Sequence, residues 1–515
     1  MLGWEFPPHI SGGLGTACQG IVSALGKIPD TQVIFVVPKV FGDEKSKNTV
    51  FVGANRYVEK FSTILDRKVR MILPENVNIK EDDDIFNLSD DKLIYVETAS
   101  LLHPYIKAED IENILIKKHI NPSSVKFNHD GQLTYIDKKG KTRVLKLSFK
   151  DLQNSKTNNS VSSAQSPKFE FTGKYTSNLY TETGMFAKVA EKISHDFDFD
   201  VIHAHDWLTY EAGIAIKESS GKPLVIHVHA TEFDRSGGYV NKRVFDIEKH
   251  GMEQADRIIT VSNLTKDIVK EKYQIPQEKI STVYNAVDFK PKKLKRYKKD
   301  PSEKIVTFLG RITYQKGPEY FLRAAYKVLQ KTSGVRFVMA GNGDMYREMI
   351  RMAAHLGIAD RFHFTDFLDK DEVRYMFSIS DVYVMPSVSE PFGIAPLEAV
   401  RSGVPVIISN QSGVSEVLED AIKVDYWDIN AISDAIYGLV KYPAIAKFIK
   451  RKALQQVKKM KWDKPAGELS EIYKEVLEAA SDEEKDVRMN IGHPPENNSV
   501  NKIKTEKDEN YMPEL

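Results

Sequence analysis

Short apolar segments rich in β-branched residues recur along this chain and alternate with segments of helical periodicity. The first series comprises residues 32–37 (QVIFVV), 201–205 (VIHAH), 224–229 (LVIHVH) and 257–261 (RIITV). Most of these runs are apolar nearly throughout, which indicates parallel strands that are buried on both faces. Helical segments between them, such as 185–194, supply the crossovers that parallel strands need. The pattern predicts an α/β fold with a doubly wound parallel sheet.

The same pattern begins again in the second half of the chain. Apolar runs lie at 304–309, 335–340, 382–385 and 404–409, and a helix is expected from Pro318. We therefore predict two Rossmann-like halves in tandem, and 515 residues are enough for two domains. The stretch 289–304 between them is basic, interrupted by proline and poor in apolar residues. It predicts a linker, with the steering of an anionic substrate as the alternative.

Composition argues against several classes of protein. The formal net charge of +1 provides no strong field for a nucleic-acid partner. Cys18 is the only cysteine, which excludes an internal disulfide and a metal site built from cysteines. No apolar run approaches the ~20 residues of a transmembrane helix, and Glu5, Pro7 and Pro8 interrupt the apolar stretch at the start. We expect a cytoplasmic protein without a transmembrane segment.

Three segments lie outside the two regular halves. Residues 103–180 interrupt the first half, and the pairs Asp130–Gly131 and Lys139–Gly140 between β-prone runs predict a small hairpin insertion. Within it, residues 153–168 are too polar to bury a core. The segment 467–480 has an apolar face that needs a docking surface, formed by Leu469, Ile472, Tyr473, Val476 and Leu477. Residues 481–515 are polar and charged, so we expect a disordered tail there.

The segment 390–399 (EPFGIAPLEA) contains the predicted start of a helix. A strand is expected at 381–385, and Pro396 and Gly403 fit the first turn and the end of a helix from 395 to 401. The backbone N–H groups of Gly393, Ile394 and Ala395 would then point out of the positive end of this helix. Such an end is a favourable site for a diphosphate.

Charged residues surround this predicted helix start. Glu390 in the preceding loop and Glu398 on the first turn can accept hydrogen bonds from sugar hydroxyls, which together with a phosphate describes a nucleotide-sugar. Arg311 and Lys316 (LGRITYQKG) follow the first strand of the second half, at the strand end where α/β sheets bind ligands, and could hold a diphosphate. The simpler interpretations are a helix-dipole role for Glu398 and ordinary surface positions for the other three.

Glycines and acidic residues in the first half give weaker signals. Gly12, Gly13 and Gly15 open a predicted helix and would let the backbone approach a ligand closely, although they could form a simple connection. The segment 81–86 (EDDDIF) contains an Asp-x-Asp pattern that holds cations in one class of sugar transferases. It lies in a polar run, which favours a solvated loop.

Two histidine pairs follow the apolar runs of the first half. His203 and His205 share one face of a strand, as do His227 and His229. A metal site is disfavoured because the usual carboxylate and third-histidine spacings are missing. We expect His205 to be a substrate-binding imidazole and one histidine of each pair to pack in the sheet.

The segments GWEFPPHISGGLG, HAHDW, GRITYQKG and EPFGIAPLEA, in this order, resemble the retaining GT-B glycosyltransferases of the glycogen and starch synthase type. The resemblance covers about residues 1–100 and 180–480. It implies an acceptor-side Rossmann-like domain at 1–290, a nucleotide-sugar-binding domain at 291–465, and a crossover helix at 466–480 that returns to the first domain. It also implies that no metal or cofactor is required, and that ADP-glucose or UDP-glucose is the donor substrate.

The resemblance implies roles for individual residues. Arg311 and Lys316 would hold the diphosphate and stabilise its leaving charge, Glu390 would bind the donor sugar, Glu398 the ribose, and His205 the sugar. The amides of Gly393, Ile394 and Ala395 would bind sugar and phosphate, while Gly12 and Gly13 would close over the donor from the first domain. Glu232 and Arg235 (ATEFDR) match a family segment and are expected in the cleft.

The implied reaction is transfer of a glucosyl unit, with retention of anomeric configuration, to a glycan, for which the resemblance indicates an α-1,4-glucan. Transfer to a cell-surface polysaccharide or a glycolipid is the alternative within the class. A metal-dependent hydrolase using the histidine pairs and a non-catalytic sugar-binding protein are the alternatives outside it. The motifs leave the base of the donor, the acceptor and the oligomeric state open.

Three features depart from the family pattern. Ser11 stands where bacterial glycogen synthases usually have a lysine, and Ala286 stands where the family often has a glycine before Val287 and Asp288. The first change weakens the case for a glycogen synthase specific for ADP-glucose. The family also places a central strand ahead of GWEFPP, so we expect a late assigned start or a truncation before Met1.

Overall fold

The computed structural model describes residues 1–10, 12–57, 171–173, 175, 179–287 and 303–491, together with the backbone of three short strands between residues 126 and 144. Several segments discussed above lie outside this range. They are most of the predicted linker, the two polar segments 81–86 and 153–168, the single residues Ser11 and Asp288, and residues 492–515.

The first domain contains a parallel sheet with helices on both sides. Its strands are β1 (Val33–Val37), β2 (Thr49–Gly53), β6 (Ile202–His205), β7 (Leu224–Val228), β8 (Arg257–Thr260) and β9 (Ile280–Thr282). β2 pairs with β1, and β6 to β9 pair in sequence order. Leu2 forms parallel bridges to Val36 of β1 and Ala204 of β6, so residues 1–3 occupy the place of a central strand between them.

The helices of this domain follow the strands in the manner of crossovers. They are α1 (Gly13–Leu25), α2 (Leu179–Ser194), α3 (Trp207–Ser220), α4 (Glu232–Ser236), α5 (Lys242–Gln254) and α6 (Asn263–Lys272), with a 3-10 turn at Gln277–Lys279. Successive side chains of a strand point to opposite faces. Thus Leu224 and Ile226 of β7 enter the core with α2 and α3, whereas Val225 enters the core with α1.

The predicted hairpin insertion is present as a separate small sheet. Its antiparallel strands are β3 (Lys126–Phe127), β4 (Leu133–Ile136) and β5 (Thr142–Val144), paired in the order β3-β4-β5. The turns predicted from Asp130–Gly131 and Lys139–Gly140 fall between these strands but outside the described residues.

The second domain contains the more regular sheet. Its strands are β10 (Lys304–Leu309), β11 (Val335–Ala340), β12 (Phe362–Thr365), β13 (Val382–Met385), β14 (Val406–Ser409) and β15 (Ile422–Val424). All are parallel in the order β12-β11-β10-β13-β14-β15, which is the doubly wound Rossmann arrangement. The predicted fold class is therefore confirmed, because buried parallel strands are apolar on both faces and are easily found in the sequence.

Helices cover both faces of the second sheet. They are α7 (Pro318–Lys331), α8 (Tyr346–His355), α9 (Lys370–Ile379), α10 (Ile394–Arg401), α11 (Val414–Val417), α12 (Ile429–Lys441) and α13 (Pro443–Val457), with 3-10 turns at Tyr314–Lys316 and Ala359–Arg361. α7 begins at Pro318, as the sequence predicts, because proline fits the first helical turn.

A last helix, α14 (Asp463–Ile491), returns to the first domain and packs on α1. Leu469, Ile472 and Val476 are buried in the core that α1 shares with the sheet. Trp462, just before the helix, lies so close to α1 that a Cβ on Gly20 would fall 2.0 Å from its ring. The last helix is longer than predicted, since it begins before residue 466 and includes residues 481–491 of the expected disordered tail. Leu477 is 36% exposed and lies outside the docked face, contrary to the prediction.

Candidate active site

A lysine and a glutamate from adjacent strand ends form an ion pair in the second domain. Lys316 lies in the 3-10 turn after β10, and Glu390 lies in the loop between β13 and α10. The Lys316 ammonium donates to Oε2 of Glu390, and the two side chains are 19% and 8% exposed. The chain turns in opposite directions after β10 and β13, and such a topological switch point is where α/β sheets bind ligands.

Close backbone packing fixes the turn that carries Lys316. Gly317 has φ of +66°, and a Cβ there would lie 2.0 Å from the carbonyl oxygen of Pro386. Only glycine fits this combination of a left-handed backbone and a close approach. The carbonyl of the buried Gln315 also accepts a hydrogen bond from Val388 N at 2.9 Å. The loops of Lys316 and Glu390 are therefore held against each other independently of their charges.

The start of α10 lies beside this ion pair. Gly393, the N-cap residue, has φ of +97°, and a Cβ there would lie 3.2 Å from Cγ of Glu390. Gly393, Ile394 and Ala395 are all half-buried, so this helix start is not enclosed in the core. Among the described residues, the N–H groups of Ile394 and Ala395 have no hydrogen-bond acceptor. These groups lie at the positive end of the helix and can bind an anion.

Glu398 lies farther along α10 than expected. The helix starts at Ile394, which places Glu398 at its fifth residue and not on the first turn. Oε1 of Glu398 lies 4.0 Å from Nη2 of Arg401, and its side chain is 28% exposed. Burial raises the pKa of the Glu398 carboxyl, while the positive charges of Arg401, Lys370 and Arg374 oppose that rise. The Glu398 carboxyl thus lies near basic side chains of both α10 and α9.

Arg311 lies at the carboxyl end of β10, five residues before Lys316, and its side chain is exposed. Within the described chain, its guanidinium makes no ion pair. The loop after β11 supports the backbone of this strand end, since a Cβ on Gly341 would lie 2.0 Å from the carbonyl oxygen of Gly310. This loop, 341–344 (GNGD), was not among the predicted site segments, although two glycines after a buried strand indicate a close backbone approach.

Gly12 and Gly13 lie at the exposed start of α1. A Cβ on either glycine would meet no atom within 4 Å, so internal packing does not require glycine there. The same helix start contains Gly15, whose N–H donates to the buried Glu5 carboxylate at 3.1 Å. Ile394 of α10 packs against the core that contains α1. The start of α10, in the second domain, therefore packs on the same core as α1 of the first domain.

His205 is fully buried, which does not fit the predicted contact with a sugar. Its Nδ1 lies 3.0 Å from Nε2 of His229, and His229 is only half-buried because it follows the end of β7. His205 therefore lies one layer behind His229. Asp206, which the sequence analysis overlooked, has φ of +65°, and Oδ1 of its buried carboxyl accepts from the backbone N–H groups of His229 and Ala230. Burial raises the pKa of Asp206 to about 6.

Glu232 and Arg235 lie in the protein interior and not in the cleft, contrary to the prediction. The Arg235 guanidinium donates to the carboxylates of Glu232 and Glu248, and all three side chains are at most 3% exposed. Tyr273 donates its hydroxyl to Glu248 as well. This network fastens α4 to α5. The partner of Arg235 could not be identified from the sequence. That partner, Glu248, lies thirteen residues later on a different helix.

Asp234, between those two residues, is the member of the segment that reaches the other domain. Its Oδ1 accepts a hydrogen bond from the hydroxyl of Ser389, the residue before Glu390. The carbonyl of Pro391, on the other side of Glu390, accepts from the hydroxyl of Ser262 in the first domain. The loop that carries Glu390 is therefore held from the first domain at both sides.

Glu416 of α11 makes a second contact between the domains. Its two carboxylate oxygens accept from the backbone N–H groups of Asn263 and Leu264 at 2.9 and 2.8 Å, and one of them also accepts from the hydroxyl of Tyr284. A carboxylate of the second domain thus satisfies the free amides at the start of α6 in the first domain. No sequence pattern indicated this pair, which is separated by more than 150 residues.

The comparison with protein families identifies two consecutive matches. The family described as Glycosyltransferase Family 4 matches residues 168–290, and the family described as Glycosyl transferases group 1 matches residues 289–456. The two matches meet within the predicted linker. The second contains Arg311, Lys316, Glu390 and α10.

Relatives among known proteins also carry glycosyltransferase and glycogen synthase names. The chain is 31% identical over 299 residues to an uncharacterised glycosyltransferase of Methanocaldococcus jannaschii, covering 54% of this chain and 76% of the relative. It is 28% identical over 284 residues to a glycogen synthase of Mycobacterium tuberculosis, covering 53% and 68%. A solved structure of Anabaena HepE in complex with UDP and glucose has the same fold, with a TM-score of 0.50 and 18% identity over 56% of this chain and 81% of HepE.

Proposed function

This chain belongs to the group 1 glycosyltransferases and has the GT-B fold, and from that premise we propose that it transfers a glucosyl unit from a nucleoside diphosphate sugar to an α-1,4-glucan. The observation that carries the proposal is the ion pair of Lys316 and Glu390 at the switch point of the second sheet, beside the free amides of α10. One cation, one carboxylate and a positive helix end provide the contacts that a sugar diphosphate requires.

The diphosphate binds between Lys316, Arg311 and the amides of Ile394 and Ala395. These groups bind the diphosphate most strongly when the bond between the sugar and the phosphate oxygen breaks, because negative charge then collects on the phosphate. Glu390 accepts hydrogen bonds from the sugar hydroxyls. The exposed backbone of Gly12 and Gly13 covers the donor from the first domain, and His229, supported by His205, faces the sugar.

The transfer retains the anomeric configuration. The acceptor hydroxyl attacks the anomeric carbon on the face that the phosphate leaves, and its proton passes to an oxygen of the departing nucleoside diphosphate. One carbon–oxygen bond breaks and one forms, so the products are the extended glycan and the nucleoside diphosphate. The side chains stabilise charge in this step, and the reaction requires no added divalent metal.

The glucan acceptor and the glucosyl donor rest on likeness to two proteins. The relative from M. tuberculosis is named glycogen synthase, and the structure of HepE contains UDP and glucose. We take UDP-glucose or ADP-glucose as the donor.

A panel of donors and acceptors tests this function. UDP-glucose and ADP-glucose are incubated with glycogen and with short maltooligosaccharides, without added metal, and the released nucleotide is measured. We expect release that depends on the acceptor, together with an α-linked product by NMR. Lys316→Ala should lower the rate by about 100-fold or more, whereas Lys331→Ala, which removes an exposed lysine of α7 paired with Asp434, should not. Equal rates in the two variants would refute the assignment of the site.

A glycolipid acceptor is a second candidate, and one surface of the second domain favours it. Residues 435–462 contain eight lysines and arginines and no acidic residue. On this segment Tyr442, Ile445 and Phe448 are 53%, 47% and 52% exposed. Exposed apolar side chains among basic ones are typical of binding to an anionic membrane surface. In the described residues, no helix has the length and apolar character needed to cross a membrane.

Sedimentation with lipid vesicles separates the two acceptors. Binding to vesicles that contain phosphatidylglycerol, but not to phosphatidylcholine vesicles, would favour the glycolipid acceptor if Phe448→Ser abolishes it. Activity on glycogen without lipid binding favours the glucan.

A further inference from the structure

Four histidines form a compact group on one face of the first sheet. His203 and His205 belong to β6, His227 of β7 lies opposite His205, and His229 follows the end of β7. The ring centroids of His203 and His205 are 4.2 Å apart, and those of His205 and His227 are 5.3 Å apart. This is the face that α1 and α14 cover, so the group lies between the sheet and these helices.

Three of these imidazoles are fully buried and have ring nitrogens without a hydrogen-bond partner. The nitrogens are Nε2 of His203, Nε2 of His205, and both Nδ1 and Nε2 of His227. The three side chains are at most 1% exposed. A buried polar atom without a partner is unfavourable, so native proteins seldom contain several together unless water or an ion satisfies them.

The three histidines also place ring nitrogens close to one another. One nitrogen from each of His203, His205 and His227 lies within 4.8 Å of those from the other two. Three imidazoles are a common ligand set for zinc and similar ions.

The remaining nitrogens of two of these rings are fixed by neighbours. Nδ1 of His203 lies 2.6 Å from the hydroxyl of Tyr473 on α14, and Nδ1 of His205 lies 3.0 Å from Nε2 of His229. Histidines that bind metals generally use the second nitrogen in this manner, because the hydrogen bond fixes the tautomer and the ring orientation. Nε2 of His203 and Nε2 of His205 are therefore the nitrogens that remain available to an ion.

We propose that His203, His205 and His227 bind one divalent transition-metal ion of the Zn²⁺ type, which joins β6 to β7 beneath the crossover helix. The ion lies behind His229 and does not contact the sugar donor, so it is a structural ion and takes no part in the transfer reaction. Tyr473 orients one ligand, and metal binding therefore also stabilises the docking of α14 on the first domain.

Two neighbouring groups could compete for the same ion. Cys18 forms a second set with His205 and His229, which shares one histidine with the proposed site. His9, Asp43 and Glu44 form an exposed set, but His9 already pairs with Asp43, and Glu44 accepts from two backbone N–H groups. Neither of these two sets includes His203 or His227. Neither therefore explains why the buried nitrogens of those two histidines have no partner.

Metal content and binding of the full chain test the proposal. The protein is stripped with a chelator and titrated with Zn²⁺ in competition with a coloured chelator, and bound zinc is counted by mass spectrometry. Co²⁺ provides a second probe, because its visible absorption reports coordination by nitrogen. We expect one tightly bound ion for each chain. His203→Gln and His227→Gln should each weaken binding by about 100-fold, and Tyr473→Phe by about tenfold.

Matched variants identify the ligands. His195→Gln, which changes an exposed histidine of the same domain, and His9→Gln should bind zinc as the parent protein does. Cys18→Ser should also retain the ion. Loss of binding in Cys18→Ser with full binding in His203→Gln and His227→Gln would overturn the proposal in favour of the other set. Absence of tight stoichiometric zinc binding in the parent chain would overturn it as well, and would leave water as the partner of these nitrogens. Circular dichroism and unfolding curves show whether each variant folds, and Tyr473→Phe, which keeps the buried ring, provides the mildest test.

Discussion

The substitution Glu390→Gln should change binding and transfer in opposite directions. In the free protein the carboxylate of Glu390 neutralises Lys316, the cation that the proposed function assigns to the diphosphate. A glutamine keeps the shape and can still accept a hydrogen bond, but it carries no charge. A nucleoside diphosphate then no longer competes with Glu390 for the lysine, and its affinity should rise.

The structure sets the size of this effect. The two side chains touch, but they retain 19% and 8% of exposed surface, so solvent screens the pair in part. Exposed pairs contribute up to about 1 kcal/mol, and breaking fully buried pairs costs about 3–5 kcal/mol. Using the lower value because of the screening, we expect nucleoside diphosphate to bind about fivefold more tightly. The transfer rate should nevertheless fall by about 100-fold, because the sugar loses its charged acceptor in the transition state.

Calorimetry with UDP and ADP measures the affinity, and released nucleotide measures the rate. The exposed Glu419→Gln, in the same domain, is the control for the loss of one negative charge. Weaker binding of nucleoside diphosphates to Glu390→Gln, in a protein that unfolds at the same urea concentration as its parent, would show that the carboxylate does not compete for Lys316.

Three further substitutions test the supports of the site. Gly317→Ala should destabilise the chain by about 2 kcal/mol and slow transfer by at least tenfold, because the new Cβ meets the carbonyl of Pro386 and φ is +66°; urea unfolding that matches the parent would contradict this. Leu469→Ala should cost about 2–5 kcal/mol in urea unfolding, because the side chain is fully buried between α14 and α1; a loss below 1 kcal/mol would mean that α14 is not firmly docked. Burial raises the pKa of Glu248 from 4.5 to about 7, so the folded chain holds this proton more tightly than the unfolded chain. The resulting stabilisation is complete below pH 4.5 and disappears as the pH rises through 7, a change of about 3 kcal/mol. Unfolding curves at pH 4.5 and 8 should show this change in the parent relative to Glu248→Gln, and identical pH profiles of the two proteins would refute it.

The fold could be predicted from the sequence because parallel strands buried on both faces appear as nearly continuous apolar runs. The runs at 304–309 and 335–340 coincide with β10 and β11, and the first-domain runs differ from their strands by one residue at an end. The start of α10 was predicted to within one residue for a similar local reason, since Pro396 and Gly403 have fixed preferences at helix ends. Local chemistry therefore located the loops that meet at the candidate site.

The burial of individual side chains, and their contacts with residues far away in the sequence, could not be predicted in the same way. The alternation of β6 shows that His203 and His205 share a face, but their burial beneath α14 depends on residues such as Tyr473, which lies 270 positions after His203. Arg235 was expected in the cleft because it matches a family segment. Its position is determined by Glu248, while Asp234, one residue earlier, contacts Ser389. The end of α14 was missed because residues 481–491 are polar, although their acidic and basic side chains favour helix.

The return of α14 to α1 has a consequence for how this protein is made. Leu469, Ile472 and Val476 fill the same core as Phe6 and Ile21. When the ribosome has synthesised the first 290 residues, that core still lacks one wall, and the wall emerges only after the whole second domain. The nascent first domain therefore exposes an apolar surface throughout the synthesis of its neighbour, and such a surface is prone to aggregation until α14 covers it.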